Sequence, residues 1–521
     1  MAEVRHVEVP GRGPAEPRTT GPQRRLWLWS AFVIVLVGGA YLRFADLETR
    51  PLHADETTGA RLLANRLEDR YEFDPTHFHG PLFGQLAAPF VRLHGEHRWE
   101  ELRAETLRRV PAVASLLTLG VPLLLRRQLG LGAAVAASAF IAASPLIVFF
   151  GRTFIHESLL GLAALLAIAA GYFWCLRPSL RRAAVVGLAV GVMFALKETA
   201  AISIIAWGGA FAALALERLS WLRRHLTEVA WRRLVPQALL AGGLAFGVVV
   251  ITYSESFQSP SSVVDFFRTY FVYELTEGHG KPFGYYARLL LWPGHYGRIV
   301  WSEAGVAVFA SFGFIAAVRR GYLFPRWLGY ATLGHLLVYS FIEYKVPWLM
   351  VVPWLHACLL AGYGGAAAFR TLLARRTVFA VALGAALAWQ GWQTQVAIFR
   401  LHSSLPNPYA YVSSSADVVI LGTWLRELAD HYPEVRRGPI AVVGREYWPL
   451  PWYLRGTAPL GYWPEPPPGA TAFPVVLAMP GQQEALNKAL EGTHVSLPRG
   501  LRLNTPILVF IRKDIWEDYL P

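Results

Sequence analysis

Ionisable residues stand in close pairs at the ends of long apolar stretches of this sequence. The positions are Asp55-Glu56, His156-Glu157, Lys197-Glu198, His279 with Lys281, and Glu343 with Lys345. An ionisable side chain at the end of a membrane helix is costly unless it is paired or lines a water-filled site, so such residues are functional candidates. Carboxylates can move protons, and ammonium groups can hold anions. These pairs therefore predict a chemical site at a membrane surface.

The composition agrees with a membrane protein. The 521 residues are 54% hydrophobic and 16% charged, against about 25% charged in an average globular chain. A net charge of +13 suggests nucleic acid or an anionic membrane as a partner, and the long apolar runs argue against nucleic acid. Both cysteines lie in apolar runs, which excludes a disulfide scaffold and a cysteine zinc site. No glycine-rich nucleotide loop is found in a strand–helix setting, which argues against a soluble nucleotide-sugar donor and a nucleotide cofactor. No nucleophile elbow is found either.

Eleven apolar stretches are candidates for membrane spans, because about 20 helical residues cross the hydrocarbon layer. They cover roughly 26–45, 107–125, 131–150, 155–176, 183–196, 199–216, 236–253, 299–318, 327–342, 346–367 and 377–397. The first stretch lacks a small-x-small cleavage site, so we interpret it as a retained helix. The sequence therefore predicts a mainly α, polytopic membrane protein with its membrane domain at 26–399.

Arginine-rich loops alternate with slightly acidic ones along this region. The basic loops contain Arg126-Arg127, Arg177 with Arg181-Arg182, residues 218–233, Arg319-Arg320 with Arg326, and Arg370 with Arg375-Arg376. Basic loops stay on the cytoplasmic side of a cell membrane. The N-terminal tail, 1–25, is therefore predicted to be cytoplasmic and, from its composition, disordered. The paired ionisable residues then share the outer side, which favours chemistry there over a transporter, whose site is expected near the midplane.

Two further regions are predicted on the outer side. The first outer loop, 46–106, contains an amphipathic helix after Asp55-Glu56, a break at Asp74-Pro75 and a second amphipathic stretch at 82–93. Residues 400–521 alternate short β-rich runs with helical ones. The runs are Ile440–Val443, 475–479 and 507–511, with helices at Asp417–His431 and 482–490. This pattern predicts a small extracytoplasmic α/β domain.

Short motifs in this order resemble those of the GT-C membrane glycosyltransferases, which include protein O-mannosyltransferases and lipid A aminoarabinose transferases. The motifs are Ala54-Asp55-Glu56, His79-Gly80-Pro81, Lys197-Glu198-Thr199, Lys345-Val346-Pro347-Trp348 and the aromatic segment 446–453. More narrowly, they resemble a prokaryotic GT-C-like family described as flippase-activity-associated. The resemblance implies a GT-C fold and transfer of a sugar from a polyprenyl-phosphate donor, at the outer face, to a protein, glycan or lipid acceptor.

The resemblance also implies roles for individual residues. Asp55 is in the family's base position, with Glu56 beside it. Lys197, Lys345 and Arg152 are then candidate donor-phosphate ligands. His156, Glu157 and Glu198 are candidates for orienting the acceptor or shaping the site. His79 and His279 fall where related enzymes place metal ligands, although the first of these positions usually carries Glu.

Simpler interpretations stay open for each group. Asp55 can serve as a helix N-cap, and His156-Glu157 can cap a span. The lysines can snorkel along membrane lipid or pair with Glu198 and Glu343, and loop histidines are often surface residues. The aromatic residues near 448–463 can stack on sugars or anchor the chain at the headgroup layer. A non-enzymatic factor that assists flipping of lipid-linked saccharides, or a transporter, are the alternative functions.

Overall fold

The structure is a computed structural model that describes residues 21–217, 228–272, 278–291, 294–296, 299–371 and 375–520. The predicted disordered tail therefore lies almost wholly outside the described residues. The chain forms two compact units. The first comprises residues 1–45, 72–87 and 108–400, and the second comprises 46–71, 88–107 and 401–521. The predicted loop 46–106 is thus divided between the two units.

The first unit is almost entirely helical. Its helices are Pro22–Phe44, Val121–Leu124, Arg126–Leu129, Leu131–Ala143, Pro145–Gly151, Glu157–Leu176, Leu180–Leu196, Ala200–Glu217, Glu228–Tyr253, Ser262–Val272, Tyr285–Leu290, Ala304–Arg320, Leu323–Phe341, Val351–Thr371 and Arg376–Gln395. The division between the units falls within two more helices, Leu82–Leu93 and Ala104–Leu117. A short antiparallel pair, β1 (Gly294–Tyr296) and β2 (Ile299–Trp301), completes the unit.

Each predicted span coincides with a helix or a bent helix pair. Among the described residues, six helices are long and apolar enough to cross a membrane, or seven if the bent pair counts as one span. Helices suit this setting because they satisfy their backbone hydrogen bonds internally. Four helices at predicted spans are shorter or more polar than that standard: Leu180–Leu196, Ala304–Arg320, Leu323–Phe341 and Arg376–Gln395. The mainly helical, multi-pass prediction is confirmed, and the number of eleven crossings stays a prediction.

The predicted span 131–150 is broken by a bend of 63° between Leu131–Ala143 and Pro145–Gly151. Pro145 cannot donate a backbone hydrogen bond, which interrupts the helix. The buried Glu303 carboxylate accepts hydrogen bonds from the Ser144 hydroxyl at 2.6 Å and from the Leu146 N–H at 3.0 Å. It also accepts from the Trp354 indole at 2.6 Å. Glu303, which the sequence analysis did not single out, thus caps the second half of the broken helix.

Glycine allows the closest helix contact in this unit. A Cβ atom at Gly364 would lie 1.9 Å from the carbonyl oxygen of Phe309, whereas at the adjacent Gly365 the nearest atom would be 3.8 Å away. Small residues at such crossings let backbones approach, which is how helices associate in lipid. Helices Ala304–Arg320 and Val351–Thr371 therefore depend on the absence of a side chain at Gly364.

The second unit contains a five-stranded sheet of order β4-β3-β5-β7-β6. The strands are β3 (Ile440–Val443), β4 (Leu460–Trp463), β5 (Val475–Ala478), β6 (His494–Arg502) and β7 (Thr505–Arg512). Strand β3 is parallel to β4 and β5, and β7 is antiparallel to β5 and β6. The predicted β-rich runs are β3, β5 and β7. Strands β4 and β6 were not predicted, because glycine, proline or charged residues interrupt their apolar pattern.

Helices cover both faces of this sheet. Leu421 and Leu425 of helix Asp417–His431 pack with Val442 on one face. Leu486 of helix Gln483–Leu490 packs with Val443 on the other. The remaining helices of the unit are Ala54–Leu67, Pro433–Arg437, Leu450–Tyr453 and Lys513–Tyr519. Strand β3 is short and apolar throughout because both of its faces are buried.

Substitution of Gly364 by alanine is expected to destabilise the first unit by about 1–3 kcal/mol, because the new methyl group overlaps the Phe309 carbonyl. The matched control, Gly365→Ala, has room and should be neutral or stabilising by up to about 1 kcal/mol. Thermal unfolding of the detergent-purified variants measures both effects. Equal melting temperatures for the two variants would contradict the proposed close contact.

Candidate functional site

Five of the predicted site residues come together in the first unit. We call His79, His156, Glu157, Lys197 and Glu198 the Lys197 cluster. They come from three places in the sequence: the His79-Gly80-Pro81 turn, the start of helix Glu157–Leu176, and the segment after helix Leu180–Leu196. The order of motifs in the sequence predicted these residues, and their pairing is a finding of the structure.

The centre of the cluster is an ion pair between Lys197 and Glu157. The Lys197 Nζ donates to the Glu157 Oε1 at 2.5 Å, and the two side chains are only 4% and 3% exposed. Lys197 is the C-cap of helix Leu180–Leu196 in extended conformation, and Glu157 is the first residue of its helix. The pair therefore joins the ends of two helices, and it replaces the alternative pairing of Lys197 with Glu198.

Glu198 pairs instead with the His79 turn. Its Oε2 lies 3.0 Å from the Nδ1 of His79. Burial raises the pKa of Glu198, but the charge of His79 and its hydrogen bond, together with Lys197, lower it to about 2. Glu198 therefore favours its ionised form.

His156 fills the space beside the His79 turn. Its ring lies 5.1 Å from the His79 ring and 4.6 Å from the Phe83 ring. A Cβ atom at Gly80 would lie 2.2 Å from the carbonyl oxygen of Ala195, so only glycine lets the turn approach the end of helix Leu180–Leu196. His79 and His156 therefore lie side by side in one packed site.

Lys345 and His279 form a second group in the first unit. The Lys345 N–H donates to the His279 carbonyl at 3.0 Å, and the Lys281 N–H donates to the Glu343 carbonyl at 3.1 Å. The Lys345 side chain is 1% exposed, and its Nζ donates to the carbonyls of Lys281, at 3.0 Å, and Ile342. Within the described ranges, no carboxylate forms an ion pair with Lys345. The alternative pairing of Lys345 with Glu343 is therefore not found among the described residues, and both residues instead bond through their backbone to the segment 279–281.

Arg152 occupies a third position. Its Nη1 donates to the Leu42 carbonyl at 2.9 Å, and its guanidinium lies 5.5 Å from the ring centre of Phe399. It is 6% exposed. These contacts tie Arg152 to the end of helix Pro22–Phe44.

Asp55 and Glu56 lie in the second unit at the start of helix Ala54–Leu67. His53 is the N-cap, and its Nδ1 accepts from the Asp55 N–H at 3.1 Å. Glu56 is fully buried and accepts from the His53 N–H at 2.9 Å and from Arg50 at 3.2 Å, which completes a capping box. The Asp55 side chain is 51% exposed. The helix cap is therefore made by His53 and Glu56, and the half-exposed Asp55 carboxylate lies beside it, 3.8 Å from the His53 Nδ1.

The segment before Asp55 is held by residues almost 400 positions later. The Leu52 N–H donates to the Tyr453 hydroxyl at 2.7 Å, and the Ser414 hydroxyl donates to the Leu52 carbonyl at 2.5 Å. The His53 Nε2 lies 3.1 Å from the Tyr411 carbonyl. No sequence pattern pointed to Tyr411 or Ser414.

The aromatic segment after β3 is less exposed than the sequence suggests. Trp452 is buried, its ring lies 5.4 Å from that of Trp99, and the Arg455 guanidinium stacks on it at 3.5 Å. Tyr453 binds backbone, as described above. Tyr462 is exposed and lies 4.5 Å from the Tyr447 ring. Trp452 therefore packs as core, whereas Tyr462 stays exposed.

The residues predicted as metal ligands do not share a ligand set. The described part of the chain contains no group of three or more His, Cys, Asp or Glu residues that could hold a metal ion. His79 is paired with Glu198, and His279 lies in the Lys345 group. The residues present therefore do not fit the predicted metal.

Comparison with known proteins identifies the architecture. Residues 79–257 match the family model described as dolichyl-phosphate-mannose-protein mannosyltransferase. The apo structure of ArnT from Cupriavidus metallidurans aligns at 17% identity over 95% of this chain and 99% of that one, with a TM-score of 0.61. The chain has the GT-C fold. The predicted resemblance of this chain to the GT-C membrane glycosyltransferases is thereby confirmed. Membership of the narrower flippase-activity-associated family stays a prediction.

Two more structures share this GT-C fold. ArnT from C. metallidurans bound to undecaprenyl phosphate aligns at 18% identity over 93% of this chain and 97% of that one, with a TM-score of 0.60. The Archaeoglobus fulgidus oligosaccharyltransferase in complex with Zn and sulfate aligns at 13% identity over 93% and 75%, with a TM-score of 0.56. No curated protein sequence gave a significant match.

Removal of the Lys197 ammonium is expected to destabilise the first unit strongly. Lys197→Met leaves the Glu157 carboxylate buried without its cation, which costs about 3–5 kcal/mol, whereas the double variant with Glu157→Leu should recover much of this loss. Unfolding of the wild type, the two single variants and the double variant in detergent gives the coupling energy between Lys197 and Glu157.

The exposed ion pair Arg268–Asp265 is the matched control. Arg268→Met should change stability by no more than about 1 kcal/mol. If Lys197→Met is no more destabilising than this control, the ion pair does not hold the two helix ends together.

Proposed function

We propose that this protein is a glycosyltransferase that moves a sugar from a polyprenyl-phosphate donor to an acceptor at the outer face of the membrane. The observation that carries the proposal is the match of residues 79–257 to a mannosyltransferase family model, because this segment contains the whole Lys197 cluster. Undecaprenyl phosphate is the ligand named for the ArnT structure of the same fold, which supports a polyprenyl-phosphate donor. The proposed orientation, with eleven crossings and the second unit outside, follows from the arginine-rich loops.

Asp55 is proposed as the general base. A base needs an oxygen that can reach the proton of the acceptor hydroxyl, and the Asp55 carboxylate is half-exposed in the first turn of its helix. Glu56 is buried, and its Oε2 already accepts from His53 and Arg50. We therefore assign proton transfer to Asp55 and positioning of the helix start to Glu56.

The proposed step is a direct displacement at C1 of the sugar. The acceptor hydroxyl gives its proton to Asp55 while its oxygen forms a bond to C1 from the side opposite the donor phosphate. The bond between C1 and the phosphate oxygen breaks, and polyprenyl phosphate leaves with the electron pair. The configuration at C1 is inverted. Positive groups that face the leaving phosphate would stabilise the charge that develops on it.

Lys345 is proposed as the main phosphate ligand. Its ammonium is buried and bonded to two neutral carbonyls, so one N–H remains for an anion. The charge of Lys197 is offset by Glu157 at 2.5 Å, and we propose that Lys197 acts on the donor as part of the cluster.

Arg152, His156, Glu157 and Glu198 are assigned to shaping the site. The Zn named for the archaeal relative enters no step, because His79 and His279 belong to different groups and the described residues contain no set of three metal ligands.

Replacement of the proposed base should abolish transfer without unfolding the protein. Asp55→Asn keeps the helix start but removes the proton acceptor, so kcat should fall about 10²- to 10⁴-fold. Release of polyprenyl phosphate from a panel of polyprenyl-phosphate sugars, in the presence of membrane extract as acceptor source, measures the rate for purified protein.

Asp69→Asn is the control for this experiment, since Asp69 is an exposed residue after the same helix, in a left-handed conformation that asparagine also adopts. It should retain full transfer. Unchanged transfer in Asp55→Asn would refute the base assignment. Lipid movement between leaflets that persists without any transfer activity would favour a flipping factor or a transporter.

Loss of the Lys345 ammonium should act on the donor. Lys345→Gln is expected to lower kcat/KM for the donor about 10- to 100-fold, because a hydrogen bond to a charged phosphate contributes about 1.5–3 kcal/mol. Lys281→Gln changes a lysine of the segment that is bonded to Lys345 and leaves its backbone bonds intact, so it should alter kcat/KM less than threefold, about 0.65 kcal/mol. Equal effects of the two variants would remove Lys345 from the proposed phosphate site.

A further inference from the structure

A large cavity lies in the first unit, among helix ends that carry arginine-rich loops. The predicted topology places these loops on the cytoplasmic side. The cavity volume is about 1120 Å³, slightly above the usual range for small-ligand pockets. Five helices contribute to its wall: Pro22–Phe44, Arg126–Leu129, Leu131–Ala143, Val351–Thr371 and Arg376–Gln395. This cavity plays no part in the proposed sugar transfer.

Six arginines line one end of the cavity. They are Arg24, Arg25, Arg126, Arg127, Arg370 and Arg376. No acidic side chain is among the lining residues in the described part of the chain, and none of the six arginines forms a salt bridge there. Arg126 donates to the Leu123 carbonyl at 2.9 Å, and Arg376 donates to that of Phe369 at 3.3 Å. The positive charge of this end is therefore not neutralised by described residues.

Neighbouring residues hold two of these arginines in place. Gly130 has a φ of +93°, and a Cβ atom there would lie 2.7 Å from the Arg370 Nη2. The Arg376 guanidinium lies 5.4 Å from the Phe369 ring centre. Six positive charges that line one cavity repel one another, and an anion among them would relieve this repulsion. Guanidinium groups bind phosphate in a bidentate manner, which suits such an anion.

The rest of the cavity wall is apolar. Along helix Arg376–Gln395 the lining runs from Arg376 through Phe379 and Leu383 to Leu387, a rise of about 16 Å at 1.5 Å per residue. Leu28 and Trp29 line it on the first helix. A free phosphate ion would use the arginines alone, whereas a lipid would use the apolar wall as well.

We infer that this cavity binds an anionic phospholipid of the cytoplasmic leaflet, with its phosphate between the arginines and an acyl chain along Leu383 and Leu387. Basic pockets between membrane helices on the cytoplasmic side suit acidic headgroups. The predicted position of the arginine-rich loops on that side agrees with this occupant. The inference is independent of the proposed sugar transfer.

The test is lipid binding to the purified full chain after delipidation. Short-chain phosphatidylglycerol should raise the melting temperature of the wild type, whereas phosphatidylcholine and inorganic phosphate should not. The variant Arg126→Gln/Arg127→Gln/Arg376→Gln should bind phosphatidylglycerol on the order of 100-fold more weakly. Arg177→Gln/Arg181→Gln/Arg319→Gln removes three exposed arginines of other loops and should bind as the wild type does.

Ala380→Trp is a second variant that fills the apolar part and keeps every arginine. Ala380 is exposed on the cavity wall, so the tryptophan should weaken lipid binding without unfolding the helix. Equal binding losses in both triple variants would show a nonspecific surface effect and overturn the inference. So would a response to inorganic phosphate alone, an equal response to phosphatidylcholine, or unchanged binding in Ala380→Trp.

Discussion

A charge placed in a low-dielectric interior must find a partner, and this requirement organises the first unit. The Lys197–Glu157 pair is its clearest expression, because both side chains are almost completely buried and each holds the end of a different helix. Glu198 and His79 then attach a third segment to the same point. The position of the His79 turn and the separation of the helix ends both follow from satisfying these few groups.

The same requirement is met differently elsewhere. Glu303 is surrounded by neutral donors, namely a hydroxyl, a backbone N–H and an indole, and so fixes the bend of a broken helix. Lys345 is met by carbonyls alone. A buried ion that is paired with an opposite charge mainly holds the structure together. A buried ion that is bonded only to neutral groups keeps an electrostatic field that can act on a charged ligand. This difference separates Lys197 from Lys345, although both lysines are buried and follow a long apolar helix.

The helices were predictable because lipid leaves the backbone few alternatives and the required apolar length is fixed. Their exact ends were less so, as the break at Ser144-Pro145 shows. The candidate residues were also predictable, since charge next to an apolar run is visible in the sequence. Their partners were not: Lys197 lies beside Glu198 in sequence but binds Glu157, because side chains of adjacent residues point in different directions. The packing of Trp452 against Trp99 depends on contacts that no local pattern encodes.

The hydrogen bond between Leu52 and Tyr453 joins residues 401 positions apart. Ser414 and Tyr411 add two more bonds of similar separation. Since chains are synthesised from the N-terminus at about 5–20 residues per second, the segment that carries Asp55 emerges well before its supports exist. The start of helix Ala54–Leu67 therefore reaches its final state only after nearly the whole chain has been translated. The protein thus acquires its membrane helices first and its complete Asp55 segment last.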